Sequence, residues 1–60
     1  MAEKIREYRE RRGMTQKELA DALGINQSAV ARWETGENEP TAFNVRRIAD
    51  VLGISPGELF

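Results

Sequence analysis

The sequence predicts an all-α fold, a compact domain of five short helices with residues 1–60 forming a single unit. Three observations carry that reading. Apolar residues recur at helical spacing in successive segments, glycines at positions 13, 24, 36 and 53 fall where those segments stop, and no stretch alternates with period two for long enough to make a strand. No internal repeat, linker or low-complexity tract divides the chain.

Helix one is expected from Ala2 to Arg12, ending at Gly13, with Ile5, Tyr8 and the stem of Arg9 facing inward. Its other positions, Glu3, Lys4, Arg6, Glu7, Glu10 and Arg11, make a solvated face. The pairs Glu3–Glu7, Lys4–Tyr8, Glu3–Arg6 and Glu7–Glu10 are mixed in sign, and a favourable one is worth about 0.2–0.5 kcal/mol.

Helix two opens on Thr15-Gln16-Lys17-Glu18, a capping box in which the Thr15 hydroxyl accepts from the Glu18 amide and the Glu18 carboxylate accepts from the Thr15 amide. Leu19, Ala20 and Leu23 share one face, and Gly24 supplies the left-handed residue that a helix C-terminus needs. Ile25 packs beneath the turn, and Asn26 is a favoured N-cap for helix three. Ala29, Val30 and Trp33 form the inner face of that helix, so Trp33 is read as core and not as a base-stacking aromatic.

Helix three runs to about Thr35 and is closed by Gly36; Glu37 to Pro40 form a loop in which Pro40 biases Glu39 toward an extended backbone. Thr41 caps a fourth helix carrying Val45, Ile48, Ala49 and Leu52 before Gly53 ends it. Ser55-Pro56-Gly57-Glu58 reads as a second capping box with proline at the first helical position, leading into a last turn that ends in Leu59 and Phe60.

Sixty residues bury only about 60% of the surface that the unfolded chain exposes, so the margin of stability is thin. With no cysteine and no histidine, neither a disulfide framework nor a zinc site reinforces it. The same absences, together with the lack of a glycine-rich phosphate loop or of a nucleophile beside a base, argue against an enzyme, a cofactor and a small-molecule substrate. Glu34, Glu37 and Glu39 around Asn38 lack the ligand order of an EF-hand, so no metal is expected. No apolar run is long enough to span a bilayer and no signal-peptide pattern follows Met1, which makes the cytoplasm the expected location.

The outer face of helix three carries Gln27, Ser28 and Arg32, hydrogen-bonding side chains with the reach to touch base edges if the helix lies in a major groove. Gln16 and Lys17 sit where free amides and the positive end of a helix dipole suit a phosphate. Charge runs against this reading. The net charge is −1, and between Thr15 and Asn44 the cations Lys17 and Arg32 stand against Glu18, Asp21, Glu34, Glu37 and Glu39, of which Glu37 and Glu39 have no evident partner.

From Ile5 to Phe60 the chain resembles the phage Cro and repressor type of helix-turn-helix domain, the XRE or lambda-repressor-like family, with helices two and three as the motif. Gln16, Leu19, Ala20, Gly24, Ile25, Val30, Trp33-Glu34, Gly36, Pro40, Ile48-Ala49, Leu52-Gly53 and Glu58-Leu59 carry the likeness. The resemblance implies sequence-specific binding of double-stranded DNA by a transcriptional regulator, a repressor in most such cases, or by its isolated DNA-binding domain. It implies base contacts from Gln27, Ser28 and Arg32, with Gln27 foremost, and backbone contacts from Gln16, Lys17, Asn26, Asn38, Thr41 and Asn44. It further implies that Gln16 buttresses the recognition helix, that Arg9 pairs with Glu34, and that a homodimer sits on a palindromic site.

Phe43 is expected to be exposed, packing on the loop or on a sugar, and Ile54, Leu59 and Phe60 either cap the core or make a small self-complementary patch. The competing reading is a protein-interaction module on the same fold that does not bind DNA, favoured by acidic Glu37 and Glu39.

Overall fold

A computed structural model describes all 60 residues. Four α-helices, α1 (Ala2–Arg11), α2 (Gln16–Leu23), α3 (Gln27–Thr35) and α4 (Ala42–Leu52), are followed by a 3-10 turn at Pro56–Leu59. Helix α3 packs on both α1 and α2, α4 lies against α1 and α2, and the final turn closes over α1 and α4. The fifth segment is thus 3-10 and not α-helical. Its four residues leave no room for a ladder of i to i−4 bonds, and Phe60 donates instead to the Gly57 carbonyl.

The helix ends follow local chemistry. Thr15 and Glu18 form the reciprocal capping box, at 3.0 Å from the Glu18 amide to Thr15 Oγ1 and 2.8 Å from the Thr15 amide to Glu18 Oε1. Leu23-Gly24-Ile25 and Leu52-Gly53-Ile54 end α2 and α4 in the same way. Each glycine stands at φ +71°, and the following isoleucine amide donates at 3.0 Å to a carbonyl five residues back, Ala20 or Ala49. Both isoleucines then pack on the core, which completes the motif.

Two expected caps are made differently. Asn26 has the extended backbone of an N-cap but forms no side-chain bond to α3, so its amide stays available. The Glu58 carboxylate accepts from the Ser55 amide at 3.0 Å and from its hydroxyl at 3.3 Å, while the Glu58 amide donates to the Ser55 carbonyl. In a 3-10 turn the main-chain oxygen is the nearer acceptor.

The core is Ile5, Leu19, Ala20, Leu23, Val30, Trp33, Val45, Ile48, Ala49, Leu52 and Leu59. Trp33 is 6% exposed and belongs to it, whereas Ala29 lies only half-buried at its margin. Leu59 is wholly enclosed and plugs the base of the core, but Phe60 is 75% exposed. A self-complementary patch of Ile54, Leu59 and Phe60 is therefore absent, because its central member faces inward.

On α1 the ion pairs differ from those expected: Lys4 and Arg11 both approach Glu7, and Arg6 approaches Glu10. These link opposite charges three or four residues apart, and being exposed they are worth at most about 1 kcal/mol each. No helix is long and apolar enough to cross a membrane.

Candidate nucleic-acid interface

The orientation of α3 is set by one buried polar cluster. Arg9, 8% exposed, points from α1 into the junction of three elements. Its Nε donates to Glu34 Oε2 at 2.6 Å and its Nη2 to Glu34 Oε1 at 2.9 Å, a bidentate fork, while Nη1 donates to the Met14 carbonyl at 2.7 Å. Gln16 Nε2, from the first turn of α2, donates to Glu34 Oε1 at 3.1 Å. The far end of α3 is thereby tied at once to α1, to the turn before α2 and to α2 itself. No buried side-chain polar atom in the fold lacks a partner.

The cluster fixes protonation as well. Burial pushes the Glu34 carboxyl upward, but the hydrogen bonds from Arg9 and Gln16 and the nearby Arg9 charge outweigh it, leaving the carboxyl below the ordinary glutamate value. The bond to Glu34 raises Arg9 against the opposing effect of burial. A carboxyl lowered by folding stabilises the fold above its unfolded value and loses that contribution as the pH drops through its folded value. Between about pH 6 and about pH 3 the wild type is therefore expected to lose melting temperature more steeply than Glu34→Gln, and parallel acid profiles would count against the assignment.

At the other end of α3, Gln27 and Ser28 are exposed; Arg32 is exposed in the last turn of the helix, as are Lys17, Asn26, Asn38 and Thr41 around it, while Gln16 and Asn44 are half-buried. The Thr41 hydroxyl accepts from the Asn44 amide at 3.2 Å, which leaves its proton free to be donated. The two cations of this surface both have acidic neighbours: Lys17 Nζ lies 3.1 Å from Asp21, and Arg32 Nε lies 3.4 Å from Glu37 Oε2. Glu37 therefore has a partner after all. Sequence spacing hides it, because residues five apart do not face each other on a helix and the contact exists only because the chain turns at Gly36.

Arg47 was not among the expected site residues. It donates to the Leu23 carbonyl at the end of α2, and its guanidinium stacks 5.6 Å from the centre of the Phe43 ring. Phe43 is 69% exposed, with the Arg47 guanidinium over its ring. The i,i+4 spacing of Phe43 and Arg47 signals the stacking, whereas the bond to Leu23 joins distant residues and has no local signature. One surface concavity is present, lined by Glu3, Arg6, Glu7, Glu10, Arg11 and Glu34 without an apolar side chain. Small-molecule sites are predominantly apolar, so this one offers little to such a ligand.

Comparison with known proteins bears on this geometry. A family model described as helix-turn-helix matches residues 5–59. The chain is 41% identical over 56 residues to the HTH-type transcriptional regulator DicA of Escherichia coli (strain K12), covering 93% of this chain and 42% of that protein. It is 45% identical over 59 residues to the type II methyltransferase M.SsoII of Shigella sonnei, covering 93% of this chain but 16% of that enzyme. The chain thus spans less than half the length of these two relatives. Among solved structures, the restriction-modification controller protein C.AhdI from Aeromonas hydrophila superimposes with a TM-score of 0.92 at 34% identity, over 98% of this chain and 89% of that one.

Proposed function

The chain belongs to the helix-turn-helix family, and from that premise we propose that it binds double-stranded DNA sequence-specifically as a transcriptional regulator or as the DNA-binding domain of one. The observation that carries the reading is the pairing of opposite properties along α3. Its C-terminal end is clamped to the scaffold through Glu34, and its N-terminal half presents Gln27 and Ser28 to solvent on a helix exposed enough to enter a groove.

In this reading Gln27 pairs with an adenine edge, Arg32 with a guanine edge, and Ser28 with either. Gln16, Lys17, Asn26, Asn38, Thr41 and Asn44 hold the phosphates and set the register without reading sequence. One copy binds weakly, and two copies on a palindrome, with half-sites about 34–36 Å apart, make a stable regulator complex.

The salt dependence tests the reading. Lys17 is the one charged phosphate contact and Arg32 the other cation of the surface, so with about one to two phosphates neutralised per subunit the slope of log K against log salt is expected at roughly −1 to −2. The acidic neighbours of Lys17 and Arg32 favour the shallow end. Titration of a random duplex at low salt and again at moderate salt measures the slope. Absence of any association near ~20 mM salt would reject duplex binding, since non-specific affinity is largely electrostatic, and would favour a protein partner for the same surface.

A further inference from the structure

A carboxylate beside an arginine on a DNA-facing surface is a cost unless it does something for that arginine. Glu37 approaches Arg32 through Nε, at 3.4 Å, which leaves the two terminal nitrogens of the guanidinium uncommitted. Those two form the fork that matches the O6 and N7 acceptors of guanine. The loop bearing Glu37 is itself anchored on residue 32. The Thr35 hydroxyl donates to the Arg32 carbonyl at 3.1 Å and accepts from the Glu37 amide at 3.3 Å, and the Asn38 amide donates to the same Arg32 carbonyl at 3.3 Å. Backbone and side chain of the loop therefore converge on one residue.

We propose that Glu37 is a positioning residue for base recognition: its carboxylate holds the inner edge of the Arg32 guanidinium so that the outer fork is aimed at a guanine. This rests on the DNA-binding reading given above. An arginine held in one orientation loses less rotamer freedom on binding, and the ion pair strengthens when a docked duplex displaces the surrounding water. Base selectivity is gained at the expense of some repulsion from the phosphates.

The two effects have opposite signs, which makes the proposal testable with Glu37→Gln. Affinity for the duplex selected by the wild type is expected to fall about threefold to tenfold, and guanine preference at one position to relax, while affinity for a random duplex stays level or rises. In an Arg32→Gln background, Glu37→Gln is expected to leave base preference unchanged. A near-wild-type melting temperature verifies that the variant is folded. Equal gains in affinity on both duplexes would show plain charge repulsion and overturn the proposal, as would a base preference indifferent to Arg32→Gln. Either of these leaves duplex binding by α3 standing, whereas failure of the wild type to bind any duplex removes that reading and this proposal together.

Discussion

Arg9→Ala is expected to lower the melting temperature of this domain by about 12–40 °C, while Arg11→Ala melts within a few degrees of the wild type. The two residues are neighbours in type and on the same helix. Arg9 and Glu34 have side chains 10% and 4% exposed, and loss of the arginine strands a buried carboxylate and removes three hydrogen bonds. Breaking one side of a buried pair costs on the order of 3–5 kcal/mol.

A domain of 60 residues has a total stability of about 3–9 kcal/mol, so that loss removes a third of it or more. Each 1 kcal/mol corresponds to roughly 4–8 °C at this size, and the expected fall is therefore about 12–40 °C. Arg11 pairs with Glu7 and lies 5.0 Å from the Tyr8 ring, but its side chain is 63% exposed, and such contacts are worth about 1 kcal/mol or less. Thermal unfolding followed by circular dichroism separates the two variants, and equal melting temperatures would remove the cluster from its structural role.

Gln27→Ala is expected to weaken binding to the wild-type's selected site by roughly 5- to 150-fold, with random-duplex affinity unchanged. The range is that of one bidentate base contact, about 1–3 kcal/mol of discrimination. Gln27 is exposed on the first turn of α3, so truncation leaves the core and the Glu34 clamp in place. Specificity is lost without loss of fold. Competition binding against both duplexes measures it, and a proportional loss on the two would reassign Gln27 to the backbone.

The fold was legible in the sequence wherever a few consecutive residues decide the structure. Thr15 and Glu18, and the repeated Leu-Gly-Ile endings of α2 and α4, act through bonds within one turn, so their residue types suffice. The last segment was less legible: Ser55, Pro56 and Glu58 specify where a helical turn begins but not whether it winds as 3-10 or α. Asn26 shows the same limit, since a competent N-cap side chain need not be used as one.

Within the candidate site, the exposed residues of α3 follow from helical periodicity around Val30 and Trp33. Contacts made across elements do not. The bonds of Arg9 and Gln16 to Glu34, which span 25 and 18 residues, were expected only from the family resemblance, and that of Arg47 to Leu23, which spans 24, had no signal at all. Glu37 is the instructive case. Its charge looked anomalous because a count of charges has no geometry, and the chain reversal after Gly36 converts it into the neighbour of Arg32.

Chemical-shift mapping of the ¹⁵N-labelled chain titrated with its selected duplex tests most directly whether α3 reads base edges. The account predicts that the largest perturbations fall on the side-chain amide of Gln27, the backbone of Ser28 and the guanidinium of Arg32, with smaller shifts at Gln16, Lys17 and Thr41. Perturbations confined to the α1 face around Glu3 and Arg6, with the Gln27 amide unmoved, would contradict it.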